Sequence, residues 1–106
     1  GDCYIEAKSV TLVEDRIAIF PDAPTVRGAK HVRTLTSLAS EGHRAAAVFV
    51  VQRPDASYFR PDADSDPTFH EALTRAVTAG VEVHAYNCRV SRLEIRINEP
   101  VPVLLD

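Results

Sequence analysis

In the stretch Tyr4-Ile5-Glu6-Ala7-Lys8-Ser9-Val10, a carboxylate and an ammonium stand two residues apart. In an extended strand that spacing puts both side chains on one face. Placed at a sheet edge, such a pair can hold a divalent metal through Glu6. Lys8 can then position an attacking water and offset charge growing on a scissile phosphate. The plainer account is a surface ion pair worth about 0–1 kcal/mol, and a lone Glu-x-Lys triplet does not choose between the two.

Other positions add weaker signals. Gln52 and Arg53 follow an apolar run, and ligands of α/β sheets favour the carboxyl ends of such strands; a strand must also simply end somewhere. Arg27, Lys30 and His31 fall in the opening turns of an expected helix, where the dipole disfavours cations by about 0.3–1 kcal/mol each. A bound anion would offset that cost. The segment Asp62-Ala63-Asp64-Ser65-Asp66 starts like a calcium loop, but Pro67 stands where glycine is needed and Leu73 where a bidentate glutamate is needed, so calcium is rejected. Asp66 reads better as a helix cap, and Asp62 and Asp64 as a solvated loop. His31, His43, His70 and His84 have no metal-ligand spacing; His70 is expected on an exposed helix face and His84 on a strand face. There is no P-loop, GxGxxG, GxSxG or paired CxxC motif.

The elements that must position these residues follow from periodicity. Residues 3–13 are rich in β-formers, and Glu14-Asp15-Arg16 makes a turn into a second strand at 17–20, which gives a hairpin. Pro21-Asp22-Ala23-Pro24 breaks it, and Thr25 or Ala23 caps a helix running to about Glu41, ended by Gly42. Ala29, Val32, Leu35 and Ala39 share one stripe of that helix, opposite Arg27, Lys30 and Thr34. Residues 45–51 form an unbroken apolar run, expected as a central strand covered on both faces. Asp66 and Pro67 open a second helix, with Phe69, Ala72, Leu73, Ala76 and Val77 at helical spacing until Gly80. Residues 81–86 alternate, with Val81, Val83 and Ala85 opposed to Glu82, His84 and Tyr86. A last strand is expected at 93–97, and Glu99-Pro100-Val101-Pro102 as an exit segment. The order β-β-α-β-α-β-β predicts an α/β domain, a sheet of four to five strands with two helices packed on it and a right-handed parallel crossover over 45–86.

Composition bounds the rest. A chain of 106 residues with 45% hydrophobic and 25% charged residues is one folded domain with a real core. No apolar run approaches the roughly 18 residues of a membrane span. Cys3 and Cys88 are too few for a disulfide framework and are expected as buried thiols. Met is absent even at position 1, which suggests a processed product or an excised domain. The net charge of −3 argues against a polyanion partner until its distribution is considered. Asp55, Asp62, Asp64 and Asp66 stand against Arg60 alone, whereas Arg27, Lys30, Arg33 and Arg44 stand against Glu41 alone. That second stretch is either an ordinary solvated face or an anion-binding surface.

Several segments together resemble the sugar fermentation stimulation protein (SfsA) family. They are Tyr4 to Glu14, Phe20-Pro21-Asp22-Ala23-Pro24-Thr25 with Arg27-Gly28 and Lys30-His31, Phe49-Val50-Val51-Gln52-Arg53 with Asp55, and Gly80-Val81-Glu82-Val83. The resemblance runs through nearly the whole chain and corresponds to the family's C-terminal domain, the N-terminal OB-like domain being absent. It implies a restriction-endonuclease-like fold of PD-(D/E)xK type, in a cytoplasmic DNA-binding protein linked to sugar, notably maltose, metabolism. Glu6 and Lys8 match the (D/E)xK half of that motif, with Glu6 as a ligand for magnesium. Gln52 is similar in position to a polar residue that lines such nuclease sites. Arg27, Lys30 and His31 match the signature helix and, with Arg53, are the expected DNA contacts. The motif's preceding aspartate would lie upstream of Gly1, and Asp2 is too close to Glu6 to replace it. The expectation is therefore a DNA-binding, nuclease-like domain with magnesium-dependent phosphodiester hydrolysis in the full-length protein, or a non-catalytic regulatory DNA-binding module. DNA is the expected partner, no membrane is involved, and self-association is left open.

Overall fold

The computed structural model describes residues 2–90 and 95–105 and arranges them in two sheets and two helices. The elements are β1 (Cys3–Val10), β2 (Leu12–Glu14), β3 (Ile17–Phe20), α1 (Val26–Ser40), β4 (Arg44–Val51), β5 (Tyr58–Pro61), α2 (Pro67–Thr78), β6 (Glu82–Val90) and β7 (Ile95–Val101). A four-stranded sheet has the order β1-β4-β6-β7, parallel except for β7. A smaller sheet has the order β2-β3-β5. The mixed α/β class with two helices is as expected. The expected strand at 3–13 divides at Thr11, however, so β1 joins the large sheet and only β2 pairs with β3. Asp15 and Arg16, with φ of 51° and 66°, make the two-residue turn between them.

The parallel crossovers step across the sheet in one direction, from β1 to β4 to β6. Right-handed connections of that kind place both helices on the same face. Burial agrees: Ala45, Ala47, Phe49 and Val51 of β4 are 0–2% exposed and belong to the core, while Val48 and Val50 on the other face are only partly buried. The expected cover on both faces of β4 is thus corrected. No described helix lies on the second face, and its apolar residues are shaded mainly by neighbouring strands.

All four phenylalanines of the chain come from different elements and meet in one cluster. Phe49 stacks on Phe59 at 4.3 Å between centroids, and Phe20 packs against Phe49 and Phe69 at 5.6 and 5.2 Å. This cluster joins β3, β4, β5 and α2, and so ties the small sheet to the large one. β5 was not expected, because Tyr58–Pro61 lies inside the acidic, proline-bearing stretch. Its hydrogen-bond partners are distant in sequence: it pairs with β3, and the Phe59 N–H donates to the Pro102 carbonyl while the Leu104 N–H donates to that of Phe59. The expected exit segment is likewise corrected, since Pro100 and Val101 belong to β7 and pair with Tyr86 and Ala85. Proline is tolerated there because β7 is an edge strand. Residues 93 and 94 of the expected last strand lie outside the described residues.

Two smaller expectations also change. Cys88 is buried, which pushes its thiol pKa up, but Cys3 is exposed on β1. His70 is only half-exposed, its Nε2 lying 2.8 Å from the Leu105 carbonyl oxygen. Among the described residues no helix is long and apolar enough to cross a membrane.

Candidate functional site

Glu6 and Lys8 pair in register with Ala47 and Phe49 of β4, so they share the face that the helices cover. β1 is the edge strand, and α1 shields it only in part. At that margin His31 of α1 meets both side chains. Its Nδ1 lies 2.8 Å from Lys8 Nζ and 3.0 Å from Glu6 Oε1, and Lys8 Nζ lies 3.2 Å from the same Oε1. The side chains retain 18% (Lys8), 35% (Glu6) and 29% (His31) of their exposure, partly sheltered and still reachable. With Nδ1 unprotonated, His31 accepts from the Lys8 ammonium; with Nδ1 protonated, it can donate to Glu6. A carboxylate, a fixed cation and a group that can serve either therefore converge at one sheet edge.

The local sequence explains how His31 gets there. α1 buries Gly28, Ala29, Val32 and Leu35, and His31, one residue before Val32, flanks that arc on the β1 side. The helix start is fixed by two caps. Thr25 Oγ1 accepts from the Gly28 N–H at 2.9 Å. Asp66, 6% exposed, accepts from the Phe69 N–H of its own helix at 3.0 Å and from the Thr25 N–H at 2.8 Å. The expected cap of α2 thus also anchors the start of α1.

The remaining expected site residues are distributed differently. Arg27 and Lys30 lie on the exposed face of α1, near His31, with no ion-pair partner among the described residues. Arg53 forms a two-point pair with Asp55, at 3.0 and 2.6 Å, which lowers the Asp55 pKa. Gln52 points away from the Glu6 group: its Nε2 donates to Ser9 Oγ at 3.2 Å, and Ser9 pairs with Val50 on the open face. The reason is strand parity, since Val51 takes the core side and the next residue does not. Glu6 and Lys8 are therefore brought together, His31 joins them, and Gln52 and Arg53 do not. The meeting of His31 with Glu6 and Lys8 was not foreseen; its place beside the buried stripe of α1 was the available signal.

As a magnesium site the described residues fall short. Glu6 provides one hard oxygen ligand, but its neighbours are an ammonium and an imidazole nitrogen, and magnesium prefers oxygen ligands. No group of three or more His, Cys, Asp or Glu able to hold a metal occurs among the described residues.

A second charged group occupies the opposite face of the sheet. Arg44 Nε and Nη2 donate to Glu82 Oε2 and Oε1 at 2.6 and 3.0 Å, and His84 Nε2 lies 3.2 Å from Oε1. The guanidinium holds the Glu82 pKa down at about 2.

Comparison with known proteins accords with this architecture. Residues 1–94 match the model of the sugar fermentation stimulation protein RE domain. The chain is 48% identical over 105 residues to a sugar fermentation stimulation protein homologue of Desulforamulus reducens, covering 99% of this chain and 44% of that one. It is 53% identical over 104 residues to the homologue of Syntrophobacter fumaroxidans, covering 98% and 40%. A solved structure of Pyrococcus furiosus SfsA in complex with Ca2+ superposes with a TM-score of 0.89 at 38% identity, over 94% of this chain and 44% of that one. The chain therefore spans less than half the length of the curated relatives it matches. On the strength of the family match along 94 residues and of relatives similar over nearly its whole length, the chain belongs to the sugar fermentation stimulation protein (SfsA) family.

Proposed function

We propose that this chain is the DNA-binding, nuclease-like domain of a cytoplasmic sugar fermentation stimulation protein, acting on DNA through the full-length protein. The observation that carries this reading is the convergence of Glu6, Lys8 and His31 at the margin of β1 and α1, with Arg27 and Lys30 exposed beside them. Lys8 is poised to take a phosphate oxygen in place of Glu6 or His31, because its present contacts are single points rather than a closed fork. Arg27 and Lys30 add positive charge on the same margin, where it attracts a polyanion.

A second reading is hydrolysis of the phosphodiester, favoured by one observation: the related Pyrococcus furiosus protein was solved in complex with Ca2+, a hard dication that binds carboxylate oxygens. Among the described residues, Glu6 is the carboxylate of the Glu6, Lys8 and His31 group and would be the one to contribute. Hydrolysis with magnesium then requires further oxygen ligands from the rest of the polypeptide or from the substrate.

The experiment uses full-length protein with supercoiled DNA and magnesium or manganese, alongside Glu6→Ala and Lys8→Ala variants. Nicking that both substitutions abolish supports the hydrolytic reading. Binding without nicking, with affinity falling steeply as salt rises, supports a regulatory DNA-binding module. Absence of DNA binding at low salt overturns both.

A further inference from the structure

The two helices leave a groove between them, apart from the Glu6 group and bordered at one end by the Thr25 and Asp66 caps. It exists because Ala29 of α1 and Ala72 of α2, both buried, are too small to fill the space between the helix backbones. Two adjoining cavities of about 190 and 380 Å³ share Arg33 and Thr68. The larger also takes in Ser37 and Arg75, with Glu71 as its acidic residue. Arg33 has no ion-pair partner among the described residues, and Arg75 uses one nitrogen on Glu71 at 2.7 Å. A guanidinium carries five donors, so both arginines retain capacity, and the Ser37 and Thr68 hydroxyls add to it. The larger cavity is rich in donors and net positive, with Arg33 and Arg75 against Glu71. The acidic residue of the smaller one, Asp66, has both carboxylate oxygens taken by the Thr25 and Phe69 N–H groups.

Helix geometry connects this groove to the Glu6 group. Arg27, Lys30 and Arg33 recur every three residues, so each is about 4.5 Å farther along the axis and turned by roughly 60° from the last. The three cations form a ramp over the exposed face of α1, from the side of His31 to the side of α2. A point-like anion would need only one of them; a chain of anions could use all three.

We propose that the α1–α2 groove is a phosphate-tracking site, in which Arg33 and Arg75 hold the sugar-phosphate backbone of a DNA strand that passes from the Glu6 margin over Arg27 and Lys30. This rests on the reading that the full-length protein binds DNA. Phosphate contacts of this kind fix register and carry little sequence preference.

The test is a salt titration of a short fluorescein-labelled DNA duplex against full-length protein, between about 50 and about 200 mM salt. Arg33→Gln and Arg75→Gln should each weaken binding several-fold, equally for unrelated sequences. Each should also flatten the slope of log affinity against log salt by about 0.9, the value of one lost phosphate contact. Arg44→Gln, on the opposite face, should change neither. Wild-type slopes in both groove variants, with DNA binding intact, overturn the groove site and leave the DNA-binding reading standing. If the wild-type protein fails to bind the duplex at low salt, both fall together.

Discussion

Two groups on the same four-stranded sheet have nearly the same chemical content. On the helix-covered face, Glu6 meets Lys8 and His31; on the open face, Glu82 meets Arg44 and His84. Each consists of one carboxylate, one cation and one histidine. The Glu82 group is closed: both oxygens take a hydrogen bond from the Arg44 fork, and His84 adds a third contact. In the Glu6 group both nitrogens approach a single oxygen, Oε1. Lysine is a point charge on a flexible stem, whereas arginine presents a rigid fork that matches a carboxylate. Residue types alone therefore do not make a site; the geometry of the cation decides whether the carboxylate is saturated.

The positions of the two groups differ as well. Arg44 keeps 70% of its exposure and Lys8 only 18%. Screening by solvent makes the exposed pair worth little, while a partly sheltered charge is felt more strongly by an approaching phosphate. The same sheet thus carries a surface clasp on one side and an open, half-sheltered cluster on the other.

The comparison breaks most directly in a binding assay on the full-length protein. Lys8→Ala should weaken DNA binding about 10- to 100-fold, the loss of one charge-assisted hydrogen bond of roughly 1.5–3 kcal/mol. Arg44→Ala should leave affinity within about two-fold, since a distant rim charge adds little. Equal losses in the two variants would show that the groups are functionally interchangeable.

The next effect concerns what holds His31 in place. Asp66→Ala removes the cap of α2 and leaves the Thr25 N–H without its acceptor. A lost cap costs about 0.5–2 kcal/mol, and leaving the partly buried Thr25 N–H unsatisfied about 1 kcal/mol more. Urea unfolding should therefore register a loss of about 1.5–3 kcal/mol. The ring resonances of His31 should shift while those of His84 stay put; movement of both, or a cost below about 1 kcal/mol, would separate the cap from the site.

A finer probe of the same helix start is Gly28. A Cβ there would lie 2.6 Å from Thr25 Cγ2 and 3.1 Å from Thr25 Oγ1. The gain of roughly 0.5–1 kcal/mol from replacing glycine in a helix is then outweighed by overpacking of about 1–3 kcal/mol. Gly28→Ala should destabilise the protein in thermal or urea unfolding, and adding Thr25→Ser, which deletes the methyl and keeps the cap, should restore most of the loss. Failure of the serine to rescue would place the clash elsewhere.

The helices were legible in the sequence because their signals are local. Thr25, Asp66, Pro67, Gly42 and Gly80 mark the ends, and the buried residues recur at helical spacing. The Glu6 and Lys8 pair was legible for the same reason, through the two-residue period of a strand. β5, the second sheet and the open face of β4 were not, because each depends on partners distant in sequence: Phe59 on Pro102 and Leu104, Phe49 on Phe20 and Phe69. Residues 45–51 show the ambiguity directly, since an unbroken apolar run reads the same whether a helix or only neighbouring strands shade its second face. His31 belongs to the same class, visible as a helix cation but without its partners until α1 is laid beside β1. Gln52 failed at one residue of parity, which carries a side chain to the other face of the sheet.

The smallest effect is expected from the Glu82 group, and acid should expose it. Its folded pKa of about 2 lies below the ordinary carboxylate value of 4.5. A depressed pKa adds stability that is complete above the unfolded pKa and is lost as pH falls toward the folded one. The contribution should therefore be present near pH 5 and fade between pH 4.5 and about 2. Glu82→Gln cannot titrate there, so its urea midpoint should sit slightly below wild type near neutrality and converge with it on acidification. A constant gap between the two across that range would mean that the Arg44 fork holds Glu82 by shape rather than by charge. In that case the contrast with Glu6 would rest on exposure alone.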